Sequence, residues 1–177
     1  MTILVVGTPN SGKSKKAEEL SVNLSKGGKK YYIATMIPFG KEGEERVKRH
    51  LARRDGKGFT TIEKPLHVNE LLTYVPDLAD STCLLECMSN LIGNEMHDVN
   101  NAGMSDDALA DYITASVKAI SDVSKNMVIV TNHFPPEDEN YDDDTRKYVA
   151  LIDMVNDRLK AMADNVYEIE DGKWVKS

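Results

Sequence analysis

The chain has 177 residues, 41% of them apolar, which suits one domain with a proper core spanning residues 1–177. Its net charge of −7 and pI near 5.1, with acid concentrated from Glu137 to Asp144, argue against nucleic acid or an anionic membrane as a general partner, so any anionic ligand has to meet locally placed positive charge. Cys83 and Cys87 have a spacing that belongs to no metal or redox motif and read as core thiols; with no run near the ~20 residues of a membrane span and no charged leader before an apolar segment, a cytoplasmic protein is expected.

Ile3 to Val6 is a short apolar, β-branched run, and Lys15 to Leu24 has helical spacing. Between them Gly7-Thr8-Pro9-Asn10-Ser11-Gly12-Lys13-Ser14 fits the P-loop pattern G-x-x-x-x-G-K-[ST] at every fixed position. Strand, loop and helix in that order are the setting the motif requires. The glycines let the backbone curl until successive N–H groups point inward, and the helix N-terminus adds positive potential, so polyphosphate is the natural occupant. Lys13 is expected to reach the β- and γ-phosphates, and the Ser14 hydroxyl to be one ligand of the accompanying Mg²⁺. The alternative, a chance match in a glycine turn, is disfavoured by the flanking elements.

Gly27-Gly28 stops the first helix, and Tyr31 to Thr35 reads as a second strand, with Met36 to Gly40 as its exit loop. Lys41 to Arg54 is rich in helix formers but has only Val47 and Leu51 as an i, i+4 apolar pair, which predicts a mostly wet helix lying thinly on the body. Phe59 to Ile62 reads as a short strand, and Leu66 to Leu78 as a helix around Val68, Leu71 and Leu72. Thr82 to Cys87 is a buried strand with a carboxylate near its end, Met88 to Met96 begins a helix, and Val99 to Gly103 is a polar loop. Ser105 caps a helix whose Leu109, Tyr112, Ile113, Val117 and Ile120 recur at three- and four-residue steps. Met127 to Thr131 is another buried strand, and the proline-containing acidic stretch from Asn132 to Asp144 reads as a mobile loop. A helix from Asp144 or Thr145 to Ala163 carries Val149, Ile152, Val155 and Leu159 on one face. Asn165 to Ile169 is the last main strand, and Asp171-Gly172 is a hairpin turn into Lys173 to Lys176. Strands alternating with helices, most of them continuously apolar, predict an α/β fold with a mostly parallel sheet, helices on both faces and a C-terminal antiparallel hairpin.

Two constellations accompany the P-loop. A P-loop enzyme needs a carboxylate at the C-terminal end of a neighbouring strand to hold Mg²⁺ directly or through water, and Glu86 stands where that residue belongs; an ordinary polar strand end is the competing reading. Arg46, His50 and Arg54 are spaced four apart and share a helical face, with Arg49 and Arg53 close to it. Such cations repel unless an anion sits against them, and a His among guanidiniums has its proton disfavoured, leaving a neutral imidazole as a nucleophile. A solvated basic face with a bystander His is the alternative. Of the remaining histidines, His67 and His97 read as surface residues, and His133 follows a strand at the edge where ligands bind in open sheets.

Taken in order, several stretches resemble the adenosylcobinamide kinase / adenosylcobinamide-phosphate guanylyltransferase family of cobalamin assembly. They are the P-loop, Tyr32-Ile33-Ala34-Thr35, Arg46-Val47-Lys48-Arg49-His50 with Arg54, Thr61-Ile62-Glu63, Leu84-Leu85-Glu86-Cys87 with Asn94, Val130-Thr131-Asn132, and Asn156 with Ala163-Asp164. The similarity runs through nearly the whole chain. It implies a RecA-like P-loop fold, a homotrimer, and two reactions at one nucleotide site: phosphorylation of adenosylcobinamide by a nucleoside triphosphate, ATP or GTP, then transfer of GMP from GTP through a guanylylated histidine. By the resemblance His50 is that histidine, and Glu63 joins Arg46, Arg54, Glu86 and the P-loop residues around the nucleotide. The chain departs from the family in having Thr8 and Asn10 where Gly and Arg are usual, and in His133-Phe134-Pro135-Pro136-Glu137 after Asn132, where Glu-Val-Gly generally follows. Two further readings are a different P-loop small-molecule kinase, and a nucleotide-binding protein of this fold that has lost one or both activities.

Overall fold

The computed structural model describes residues 1–135, 137–170 and 173–177, with Glu170 as backbone only. Strands β1 (Thr2–Gly7), β2 (Lys30–Ala34), β3 (Phe59–Glu63), β4 (Thr82–Glu86), β5 (Asn126–Asn132), β6 (Asn165–Glu170) and β7 (Lys173–Lys176) form one sheet in the order β3-β2-β4-β5-β1-β6-β7. All pairings are parallel except that of β6 with β7. The expected closing hairpin is therefore present, although its turn residues Asp171-Gly172 lie outside the described residues.

Helices α1 (Lys13–Ser25), α2 (Gly40–Arg54), α3 (Leu71–Tyr74), α4 (Met88–Met96), α5 (Asp106–Val123) and α6 (Asp143–Met162) connect the strands. Because side chains alternate along a strand, each central strand feeds two cores. Leu4, Ile33, Leu85, Met127 and Ile129 face the larger one, roofed by α4, α5 and α6 through Ile92, Ile113, Val117, Ile152 and Val155. Ile3, Val5, Tyr32, Leu84 and Val128 face the smaller one, covered by α1 through Ala17, Leu20 and Leu24. The sheet is thus sandwiched as expected, but unequally. Ser105 caps α5 by accepting from Ala108 N–H at 3.2 Å, and Asp142 caps α6 by accepting from Thr145 N–H at 2.7 Å.

Two local expectations are corrected. The helix expected from Leu66 to Leu78 is broken: His67 enters it with φ 50°, a single 3₁₀ turn over Val68–Glu70 leads into the four-residue α3, and Val75 is already extended. Pro76 explains the stop, because a proline drives the residue before it out of the helical region. Val68 and Leu71 are buried, whereas Leu72 is exposed. The second correction concerns α2. Leu51, expected to anchor it beside Val47, is 48% exposed, and the residues nearest the body are Val47, His50, Arg53 and Arg54. What fastens the helix is charge: Glu18 of α1, wholly buried, pairs with Arg53 Nε at 2.7 Å and, just past the helix, with Lys57 Nζ at 2.5 Å.

Candidate active site

Parallel register brings the C-terminal strand ends to one edge. Gly7 lies opposite Asn132, Val130 opposite Glu86, Glu86 opposite Ala34, and Ala34 opposite Glu63. The P-loop and the start of α1 close one side of that edge and α2 the other, around a cavity of about 580 Å³, within the size range of nucleotide-sized ligand sites. Of the residues expected from the sequence, Pro9, Asn10, Lys13, Ser14, Arg46, His50, Arg54, Glu63 and Glu86 all line it.

The loop has the conformation its glycines require. Asn10 and Gly12 have φ of 62° and 89°, and a Cβ on Gly7 would stand 2.6 Å from Ser11 Oγ and 3.1 Å from Lys13 Cγ. Ser11 Oγ is buried with no hydrogen-bond partner among the described residues, a polar atom held ready for a ligand oxygen. Lys13 Nζ donates to Thr8 O at 2.6 Å, and burial draws its pKa below the usual lysine range.

Glu86 is the hub. Ser14 Oγ donates to its Oε1 and Tyr32 OH to its Oε2 at 3.1 Å, while Arg53 Nη2 stands 3.6 Å from Oε2 and His50 Nδ1 3.7 Å from Oε1. Burial, reinforced by the neighbouring Glu86 charge, pushes the Tyr32 phenol far above its ordinary pKa, so Tyr32 remains a donor. A hydroxyl and a buried carboxylate side by side are hard oxygen donors of the kind Mg²⁺ prefers.

His50 stands between this carboxylate and the guanidiniums. Burial lowers its pKa; Glu86 works against that, and Arg53 and Arg54 add to it. The imidazole is therefore held neutral, as the spacing of the arginines implied, although burial rather than the arginines is the largest cause. Arg53 Nη2 lies 3.4 Å from His50 Nδ1. Arg54 is only 6% exposed, and its guanidinium carbon lies 3.3 Å above the Tyr32 ring centroid. Its Nε and Nη1 are buried on the wall of the cavity without partners among the described residues. Arg46 and Glu63 stand exposed at the rim.

The structure separates the other histidines from this site. His133 is exposed, and only its backbone N–H reaches the loop, donating to Gly7 O at 3.1 Å. His97 is a surface residue as expected, 3.1 Å from Asp144. His67 corrects its expectation: its side chain is 27% exposed and sits in a polar cluster with Tyr112, Glu95 and Asp98. Sequence reasoning quoted Tyr32 within a resembling stretch but gave it no role, though it both binds Glu86 and carries Arg54, and it missed Glu18, which positions Arg53. Apart from that stretch no signal announced them, since a Tyr in a strand and a Glu on a helix are ordinary.

The model of a family described as cobinamide kinase / cobinamide phosphate guanyltransferase matches residues 3–176. The chain is 30% identical to the bifunctional adenosylcobalamin biosynthesis protein CobU of Salmonella typhimurium, over 99% of each chain. It is 27% identical to the protein of the same name from Escherichia coli, again over 99% of each. Among solved structures it is similar to an ATP synthase subunit, NeqB, from Nanoarcheaum equitans, with TM-score 0.63 and 12% identity over 96% of this chain and 45% of that one. It is also similar to an ATPase of a bacterial type III secretion system, with TM-score 0.59 and 11% identity over 96% and 51%. At such identities these likenesses describe the fold, a RecA-like P-loop architecture.

Proposed function

The chain belongs to the cobinamide kinase / cobinamide phosphate guanyltransferase family, a bifunctional enzyme family of adenosylcobalamin assembly, and from that premise we propose that His50 is the residue that carries GMP. The observation that supports this most directly is a half-buried, neutral imidazole in the same cavity as the P-loop, one carboxylate away from Ser14. Nδ1 faces Glu86 at 3.7 Å and Arg53 at 3.4 Å, so Nε2 is the ring nitrogen turned away from that pair, and with the proton on Nδ1 its lone pair is the nucleophile. Nε2 attacks the α-phosphorus of GTP; the N–P bond forms, the bond to the bridging oxygen breaks, and pyrophosphate leaves with the electron pair. The P-loop backbone and Lys13 receive that pyrophosphate, and Arg54, with two unpartnered N–H groups, meets the non-bridging oxygens of the α-phosphate. A phosphate oxygen of adenosylcobinamide phosphate then attacks the same phosphorus, the P–N bond breaks, and adenosylcobinamide-GDP is released with His50 restored.

In the kinase step the same P-loop holds the triphosphate while its γ-phosphoryl passes to the cobinamide hydroxyl. Ser14 and Glu86 are the residues that would hold Mg²⁺, whose chemistry is neutralisation of phosphate charge. Arg46 and Glu63 at the rim complete the nucleotide contacts. The reading also includes a single domain over residues 1–177 that assembles as a homotrimer in the cytoplasm, an assembly that sedimentation velocity would measure.

Incubation with GTP labelled at the α-phosphate, followed by denaturation, tests the central step. Wild type should retain acid-labile, alkali-stable label and His50→Ala none. Equal label on both would sink the assignment, as would label that survives acid.

A further inference from the structure

Away from the nucleotide cavity, the segment after β3, the end of α4 and the turn beyond it bring one imidazole and two carboxylates together. His67, Glu95 and Asp98 each offer a ligand atom within 4.8 Å of the other two. This is no surface acidic patch, because the Glu95 side chain is 2% exposed and that of Asp98 7%. Both carboxylates are oriented by neutral donors. Glu95 accepts from His67 N–H at 2.7 Å and Asn101 Nδ2 at 2.8 Å, and Asp98 Oδ1 accepts from the N–H and Nδ2 of Asn100 at 3.1 and 3.0 Å.

Asp98 Oδ2 stands apart. It is buried and accepts no hydrogen bond from the described residues, yet lies 2.9 Å from His67 Nε2. A nitrogen and an oxygen held this close without hydrogen-bond alignment are placed as two ligands of one ion are placed. At the other ring nitrogen, Nδ1 is 2.7 Å from Tyr112 OH and 3.7 Å from Glu95 Oε2, and in the tautomer that donates from Nδ1 to the phenol the Nε2 lone pair faces Asp98. That is the outer-shell contact that orients metal-binding histidines. Among the described residues neither Glu95 nor Asp98 pairs with a Lys or Arg, so His67 is the one basic side chain facing these two buried carboxylates.

We propose that His67, Glu95 and Asp98 hold a divalent first-row transition ion of the Zn²⁺ type. One imidazole nitrogen with two carboxylate oxygens suits such an ion, whereas Mg²⁺ favours an all-oxygen octahedral shell. Its role is a clamp on the cavity wall. Residues 64–67 continue directly from Glu63 at the rim, and Asn94, adjoining Glu95, donates through Nδ2 to Thr35 O at 2.8 Å and Pro65 O at 2.9 Å. An ion at His67 therefore ties the end of β3 to α4.

The test is titration of chelator-stripped protein with Co²⁺ and then Zn²⁺, followed by visible absorption, calorimetry and thermal unfolding. Wild type should bind one equivalent, show the d–d bands of four- or five-coordinate Co²⁺, lose them to Zn²⁺, and unfold at a higher temperature with metal. His67→Gln and Asp98→Asn, checked for folding by circular dichroism, should each weaken binding at least about tenfold, while His50→Ala, which removes the imidazole of the nucleotide cavity, keeps the equivalent. The proposal is overturned if wild type shows no saturable binding, leaving His67 and Asp98 as a simple ion pair. It is equally overturned by a six-coordinate Co²⁺ spectrum, by binding that survives both cluster variants, or by binding lost with His50. The wild-type spectrum decides the matter even where a variant fails to fold.

Discussion

His50 owes its chemistry to where α2 places it: burial and two guanidiniums outweigh the attraction of Glu86, and its pKa falls below the usual histidine value of about 6.5. The sign of the pH dependence follows. In the proposed reaction the neutral imidazole is the nucleophile, so self-guanylylation should be flat above about pH 6.5 and decline only as the pH drops through the lowered pKa. Quenched labelling between pH 5 and 8 measures this, and a rate still climbing above pH 7 would contradict it. Arg53→Gln removes a cation that disfavours the proton and should move the inflection upward. At Gly7, an added methyl would crowd Ser11 Oγ and the Lys13 stem. Gly7→Ala should therefore weaken nucleotide binding by at least about tenfold, roughly 1.4 kcal/mol by calorimetry.

At the scale of elements, α2 and α6 contrast in how they are attached. The buried face of α6 is an apolar stripe of Val149, Ile152, Val155 and Leu159, whereas α2 leans on a cavity and is held by the ion pairs of Glu18. Leu159→Ala should cost about 2–5 kcal/mol in urea unfolding, and Leu51→Ala, half-exposed at the cavity, about 0.5 kcal/mol or less. Glu18→Gln leaves Arg53 and Lys57 without their buried carboxylate. Both cations are about one-third exposed, so water compensates in part and the expected loss is about 1–3 kcal/mol. Guanylylation should fall by more than that stability loss implies, because Arg53 and His50 are positioned through the same contact. Comparing label yield with urea midpoints separates the two effects.

For the whole molecule, the sheet edge gathers the candidate site residues from β1, β2, β3, β4 and the start of α1, with α2 supplying His50 and Arg54. Ligand binding and folding are linked at such an edge. GTP at one hundred times its dissociation constant should stabilise the protein by about 2.7 kcal/mol, seen as a higher unfolding midpoint. With one sheet and cores on both its faces, unfolding should follow a single transition by fluorescence and circular dichroism alike. No helix among the described residues is long and apolar enough to cross a membrane.

Much of this was legible in the chain itself, because local chemistry carried it. Gly7 to Ser14 is contiguous, so its phosphate cradle is written in adjacent residues, and the central strands are apolar runs that have to be buried. The four-residue spacing put Arg46, His50 and Arg54 on one side of α2. Periodicity records which side of an element is buried, but not which partner a polar group finds across the fold. Only the tertiary structure placed Glu18 against Arg53, 35 positions away, Tyr32 beneath Arg54, and His67 with Tyr112, 45 positions away. Strand order decided those contacts by packing β3 and β2 beside β4 and inserting β5 between β4 and β1. A buried charge takes whatever partner that packing brings within reach, which is why the apolar framework could be read in advance and the ionic contacts on it could not.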